Sequence, residues 1–319
     1  MKKKRRPLQA LDKKPSMVRR LVIIFAVILV AFFSVIMYTV YSAPKFQAIL
    51  SYAKVPDAEL AYYTRGRGEP IILITGFGMT MQDWDPIFLE QLSTNNKVIV
   101  FDYRAVGASS GDPTKVSQQQ MVDDVTLLMD ELQLDKAHIL GWSLGSFVAQ
   151  GVAEQYPDRV DQLILVATNP GGDQIIPAPE ALSQKVQENL AGSWEEFYTP
   201  LMFHDPKNAK AYLERVKNAQ MASEVPKTKG ESTQAKVAHQ FAFADVEREK
   251  KRYEGLSSIK AQTLLITGED DQLTMPENAK RVEKRIPAAD LHIIADSGHA
   301  VMFEKSEEVT GLIKDFLRD

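Results

Sequence analysis

Short, wholly apolar runs alternate with stretches of helical periodicity along most of this chain. IILIT at 71–75 and KVIVF at 97–101 are apolar throughout or nearly so and bounded by Gly, Pro or Asn, the pattern of strands covered on both faces. Between them, 82–92 reads as a helix. From Ser117 to Leu134 a polar SQQQ start is followed by apolar side chains at Met121, Val125, Leu128, Met129 and Leu132, the period of a helix with one buried stripe. A strand at 137–141, a helix at 146–156 and a strand at 162–167 continue the rhythm. Upstream, Ala58–Thr64 alternates as a half-buried strand closed by the turn Arg65–Gly68, and FQAILSYAKV holds a first strand. Strand and helix in strict alternation predict an α/β domain with a mostly parallel sheet and helices on both faces.

The rhythm stops after LILVAT. Residues 169–257 are rich in Pro, Lys, Glu and Gln, with helical stretches at Asn208–Met221 and Gln234–Lys251 and no strand pattern. Sheet periodicity resumes with TLLITG from Thr263, a helix over Pro276–Ile286, the strand LHIIAD and a last helix from Ser306 to Arg318. An insertion of about 88 residues between two strands predicts a helical cap over the sheet edge, at 170–257, because loops of that length rarely lack a role. No internal repeat is present.

The amino terminus departs from this pattern. Leu21–Tyr41 contains no charge and is long enough as a helix to cross a hydrocarbon core of about 30 Å. It predicts a single transmembrane helix at 21–41, with a basic leader at 1–20, a connector at 42–54 and a catalytic domain at 55–319. A cleavable signal ending at Ser42–Ala43 is the competing reading, but Tyr41 sits where a small residue is wanted. Nine basic residues against Asp12 give the first twenty positions +8; since the whole chain is −4, the remainder carries −12. The basic cluster predicts a cytoplasmic amino terminus, anionic headgroups as its partners, and a body held outside the cell membrane. An acidic body argues against nucleic-acid binding. The absence of cysteine excludes disulfides and thiolate metal sites.

Candidate chemistry centres on Gly141-Trp142-Ser143-Leu144-Gly145, set between a predicted strand and a predicted helix. A sharp strand-to-helix turn presents a serine hydroxyl at the carboxyl edge of a sheet, and only small residues fit two positions before and after it. A hydroxyl needs a base, and His299, in the loop Asp296-Ser297-Gly298-His299 after LHIIA, is the candidate. His138 and His292 lie in predicted strands, and His204 and His239 in the cap. The imidazole needs a carboxylate to hold its tautomer; Asp271, in the loop Gly268–Gln272, is the first choice and Asp270 the second. The order Ser143, Asp271, His299 differs from both serine-protease orders. Oxyanion donors are expected from the amides of Leu144 and Phe77, the latter on the loop Gly76-Phe77-Gly78 after the first central strand. No metal or organic cofactor is implied.

Five segments carry a family resemblance: ITGFGMTMQDWDP, FDYRAVGASSG, GWSLGS, TGEDDQLTMP and DSGH, in that order. Residues from about 55 to 319 resemble the α/β-hydrolase superfamily, in the capped subgroup of proline iminopeptidases, enol-lactone hydrolases and haloperoxidase-like esterases. Two positions depart from the family pattern: Thr75-Gly76 stands for the usual His-Gly, and Arg104-Ala105-Val106-Gly107 for Arg-Gly-His-Gly. The resemblance implies a serine hydrolase acting on a small acyl substrate through an ester, thioester or lactone. Trp194, Phe197, Tyr198, Phe203, Phe241 and Phe243 either line an apolar acyl pocket or form the cap's own core. A proline-releasing aminopeptidase is the alternative enzyme, with Glu195, Glu196, Glu214 or Glu224 available for a substrate amine. An anchored binding module without chemistry is the alternative outside enzymes. Oligomeric state is left open by the sequence.

Overall fold

The computed structural model describes residues 49–188, 199–222 and 252–318, together with Phe25 and Leu29. The chain divides into two units, Met1–Phe46 and Gln47–Asp319. Of the first, only Phe25 and Leu29 are described, both helical and exposed. The expected membrane helix at 21–41 and its basic leader therefore lie almost wholly outside the described residues; among those described, no helix is long and apolar enough to cross a membrane.

The second unit is built on eight strands: β1 (Ser51–Val55), β2 (Ala58–Arg65), β3 (Glu69–Ile74), β4 (Asn96–Phe101), β5 (Ala137–Trp142), β6 (Val160–Val166), β7 (Gln262–Gly268) and β8 (Ala289–Ile294). Their order across the sheet is β1-β2-β4-β3-β5-β6-β7-β8. From β4 to β8 every neighbouring pair is parallel, while β1–β2 and β2–β4 are antiparallel. Sheet pairing begins at Ser51, so the last residues of the segment expected as connector already belong to the sheet.

Apolar runs become strands here because both faces are covered, and the two-residue period of the pleat sorts each run between them. Ile72, Ile74, Ile99, Ile139 and Leu165 face one core, packed on Met121, Val125, Val148 and Val152 of helices α2 (Gln118–Glu131) and α3 (Leu144–Gln155). Ile71, Leu73, Val98, Leu140 and Ile266 face the other, packed on Phe88, Phe303, Val309 and Ile313. The last four come from helix α1 (Pro86–Leu92) and, from the carboxyl-terminal region, α8 (Val301–Glu304) and α9 (Ser306–Phe316), which follow α7 (Pro276–Arg285).

In the described part of the inserted segment, α4 (Glu180–Glu188), α5 (Thr199–Met202) and α6 (Pro206–Ala222) are helical and no strand occurs. The second cap helix expected at Gln234–Lys251 lies outside the described residues. Helix α6 is fastened to the loop between β3 and α1: the Tyr212 hydroxyl donates to the Asp83 carbonyl at 2.7 Å, and the Arg215 guanidinium reaches the fully buried Asp85 carboxylate. Asp85 also caps α1 by accepting from the amide of Ile87.

Chain direction across the sheet changes at β3. The chain leaves β3 for β4 on one side and returns to β5 on the other, so β3 and β5 are neighbours whose carboxyl ends carry separate loops. Such a switch point opens a crevice at the sheet's carboxyl edge. The loops at its mouth are those of Gly76-Phe77 and Ser143.

Candidate active site

Ser143 occupies the turn between β5 and α3 with φ 54° and ψ −117°, a conformation that side-chain-bearing residues seldom adopt. The strain is sustained by its surroundings. The Ser143 amide donates to the Val166 carbonyl at 2.9 Å, and its carbonyl accepts from both the amide and the hydroxyl of Ser146. A Cβ at Gly141 would collide with the Gly145 carbonyl, and one at Gly145 with the carbonyl of Ile74 on the next strand. The spacing of glycines around the serine is therefore a packing requirement. The helix begins at Leu144, two residues before the expected Ser146, because Ser143 itself absorbs the turn.

Asp271, His299 and Ser143 form a continuous hydrogen-bonded chain. His299 Nε2 lies 2.8 Å from Ser143 Oγ, and His299 Nδ1 lies 2.9 Å from Asp271 Oδ2. Both side chains are buried, at 5% and 0% exposure. Asp271 also accepts from the amides of Leu273 and Thr274 at 2.9 Å each and from the Thr274 hydroxyl at 2.7 Å. Burial by itself raises its carboxyl pKa; the His299 charge and hydrogen bond and the Thr274 donors together outweigh burial and hold it below the ordinary carboxylate value.

The neighbouring acid, second choice for the same role, points elsewhere. Asp270 Oδ2 is 2.9 Å from Nδ1 of the cap residue His204, and both side chains are part-exposed. His138 and His292 lie in β5 and β8, facing Asp161 and Asp290 rather than the serine. His239 lies outside the described residues.

The expected oxyanion loop sits directly over the serine: a Cβ built at Gly76 would stand 3.5 Å from Ser143 Cβ. Neither histidine of the family pattern is needed to shape it. The buried Tyr103 hydroxyl donates to the Thr75 carbonyl at 3.1 Å, and the buried Asp102 carboxylate accepts from Met81 at 2.6 Å and Ala108 at 2.8 Å. Leu144 occupies the first turn of α3, whose amino-terminal end carries the positive pole of the helix dipole.

A cavity of about 210 Å³ opens above the serine, lined by Phe77, Met79, Trp142, Val186, Met202 and Leu273, with Gly76, Ser143, Thr274 and His299 at its floor. Its walls, among the described residues, are apolar. Among the cap residues offered for substrate contact, Phe203 is buried against Tyr212, with ring centroids 5.3 Å apart, and belongs to the cap core rather than to this wall. Glu214 is exposed and does not line the cavity. Trp194, Phe197, Tyr198, Phe241, Phe243, Glu195, Glu196 and Glu224 lie outside the described residues. No group of three or more metal-ligating side chains occurs among the described residues.

Three contributors escaped the sequence reading. Thr274 bridges the pair, 2.7 Å from Asp271 and 3.2 Å from His299 Nδ1; its signal was the Asp-x-x-Thr spacing of a side-chain-capped turn. Trp142 donates its indole N–H to the His299 carbonyl at 3.0 Å. Glu304 accepts from the amide of Gly298 at 3.0 Å, a contact with no sequence signal.

Comparison with known proteins agrees with this architecture. The family model described as alpha/beta hydrolase fold matches residues 69–306. The chain is 26% identical over 280 residues to the proline iminopeptidase PfmaB of Pestalotiopsis fici, covering 84% of this chain and 99% of that protein. It is 28% identical over 266 residues to the pimeloyl-[acyl-carrier protein] methyl ester esterase of Aliivibrio salmonicida, covering 81% and 96%. An alpha/beta hydrolase fold protein from Chitinophaga pinensis superimposes with a TM-score of 0.71 at 22% identity, over 85% of this chain and 97% of that one, a likeness of fold.

Proposed function

The chain belongs to the alpha/beta hydrolase fold family, and from that premise we propose that it is a membrane-anchored serine hydrolase cleaving a carboxylic ester, thioester or lactone through an acyl-enzyme on Ser143. The observation that carries this reading is the unbroken hydrogen-bonded path from Ser143 through His299 to Asp271 at the floor of an apolar cavity.

In the proposed reaction His299 Nε2 takes the Ser143 proton as Oγ attacks the substrate carbonyl carbon. The amides of Phe77 and Leu144, with the positive end of α3 behind them, hold the oxyanion. Collapse of the tetrahedral adduct breaks the bond to the leaving oxygen or sulfur, which receives the proton from the imidazolium. Asp271, kept ionised by its surroundings, stabilises that imidazolium and fixes its tautomer. A water deprotonated by the same imidazole then attacks the acyl carbon, the bond to Ser143 Oγ breaks, and Oγ takes the proton back from the imidazolium as the acid leaves.

Among the described residues the cavity walls are apolar, which favours an uncharged acyl group over a substrate ammonium that would need a carboxylate partner there. The proline-releasing alternative draws on the likeness to the iminopeptidase of Pestalotiopsis fici. Side-by-side assay of p-nitrophenyl acyl esters and prolyl amides separates the two, and faster turnover of the amides would overturn the ester reading. Labelling of the full-length protein by a fluorophosphonate, lost in Ser143→Ala, tests the shared mechanism. Absence of label on the wild type would leave an anchored binding module instead.

The uncharged run Leu21–Tyr41 and the +8 leader support a single-pass anchor in the cell membrane with the body outside. Protease added to intact cells is expected to digest the body; full protection would reverse this orientation.

A further inference from the structure

His299 is held by more than its two side-chain partners. The peptide groups around it are fixed from three directions: the Gly298 amide donates to Glu304 Oε2 at 3.0 Å, the His299 carbonyl accepts from Trp142, and the Ala300 amide donates to the Met202 carbonyl at 2.8 Å. Two of these three lead into the inserted cap. Met202 ends α5, and the Glu304 carboxylate, besides Gly298, accepts from the His204 amide at 3.0 Å, the Asp205 amide at 2.8 Å and Asn208 Nδ2 at 3.0 Å. One carboxylate thus gathers four donors, three from the cap segment 204–208 and one from the peptide preceding the imidazole. The same cap segment reaches the acid loop, since the His204 ring pairs with Asp270 next to Asp271.

We propose that Glu304 is a positioning residue for His299, clasping the peptide before the imidazole to cap residues His204, Asp205 and Asn208 so that the base is aligned only while this part of the cap is docked. The inference rests on the serine-hydrolase reading above. Its physical basis is that four N–H donors converge on one anion, and charge-assisted bonds of this kind are both short and directional. Removing the carboxylate leaves the Gly298 amide and three cap donors without their acceptor, and the loop that carries the imidazole loses the contact tying its amino-terminal side to the cap, keeping only those of Ser297 with Asp270 and Ile294. Met202, on the cavity wall, closes the opposite side, so a substrate that displaces the cap also pulls on the base.

The test measures turnover of p-nitrophenyl butyrate and the rate of fluorophosphonate labelling on the full-length wild type, Glu304→Ala and Asn208→Ala. For E304A, kcat and the labelling rate are expected to fall by about 10²-fold, the scale of a misplaced catalytic group, with KM little changed. N208A removes one cap donor and is expected to lower kcat about threefold. A folded E304A that labels and turns over at the wild-type rate overturns the proposal, as does a loss confined to KM. Should E304A fail to fold, N208A decides: reduced kcat at unchanged KM supports the clasp, and wild-type kcat overturns it. A wild type that takes no label defeats the serine-hydrolase reading itself and this inference with it, whereas a labelling wild type beside an equally reactive E304A defeats only the role of Glu304.

Discussion

His299 Nε2 and Ser143 Oγ stand 2.8 Å apart although 156 positions separate them in the chain. That approach depends on the sheet: β5 delivers the serine, and the loop after β8, three strands away, delivers the imidazole. The contact joins a strained residue to a buried ring, and each can be perturbed separately.

Strain at Ser143 has a measurable sign. At an ordinary position, Gly is less stable than Ala by about 0.4–1 kcal/mol because it frees the unfolded chain. At φ 54° and ψ −117° the order should reverse, since Gly carries no Cβ penalty there and strain of this kind costs about 1–3 kcal/mol. Ser143→Gly is therefore expected to be more stable than Ser143→Ala in urea unfolding, with both inactive. Equal stability, or the ordinary order, would mean that the turn is unstrained.

Asp271→Asn is expected to lower kcat by roughly 10⁴-fold, as loss of the carboxylate that orients a catalytic imidazole does in serine proteases. It also carries a pH signature. The Asp271 carboxyl is held below its unfolded value of 3.8, so in the acid range the unfolded chain binds more protons than the folded one, and stability rises with pH there. The contribution is complete above pH 3.8 and is lost as pH falls through the lower folded-state value. Urea midpoints measured from pH 6 downwards should fall more steeply in wild type than in D271N, and parallel curves would remove Asp271 from the acid limb.

Strand and helix periods made the sheet legible in the sequence, because strands buried on both faces are apolar throughout and helices on those faces show one stripe. The elbow was legible for a similar reason, since the collisions at Gly141 and Gly145 leave a spacing in the sequence. The antiparallel direction of the β1–β2 edge was not. Nothing in the alternation of Ala58–Thr64 distinguishes its antiparallel pairing with β4 from a parallel one. Nor could adjacency separate Asp270 from Asp271: the two acids diverge because the amides of Leu273 and Thr274 capture one while the cap histidine takes the other. Glu304 was invisible because its donors are mostly backbone amides, which any sequence supplies.

A buried ion pair sets a stability prediction independent of the chemistry. Arg104, one of the positions where the chain follows the family pattern, meets Asp124 of α2 at 3.0 and 2.6 Å and donates to the Pro56 carbonyl at 2.8 Å, tying the β1–β2 turn to that helix. Both side chains are almost fully buried. Asp124→Asn leaves the guanidinium buried without its counter-ion and should cost about 3–5 kcal/mol. Chemical denaturation measures this directly, and a loss under 1 kcal/mol would mean that solvent reaches the pair.

Acyl selectivity should follow from the cavity walls. Met202, Leu273, Phe77 and Met79 line a space of about 210 Å³ whose walls, among the described residues, are apolar. Each methylene accommodated in such a pocket changes kcat/KM by about 10-fold or more. Wild type is expected to prefer butyrate to acetate esters of p-nitrophenol and to reject succinyl monoesters, whose second carboxylate would be desolvated without a partner. Met202→Ala enlarges the cavity on the side lined by the cap, so its optimum should move to longer chains while acetate turnover falls or stays level. Met202 holds Ala300 through its backbone carbonyl, which the substitution keeps, so the shift should appear in relative kcat/KM across chain lengths rather than as a uniform loss. A uniform loss, or an optimum that does not move, would place the acyl chain somewhere other than this cavity.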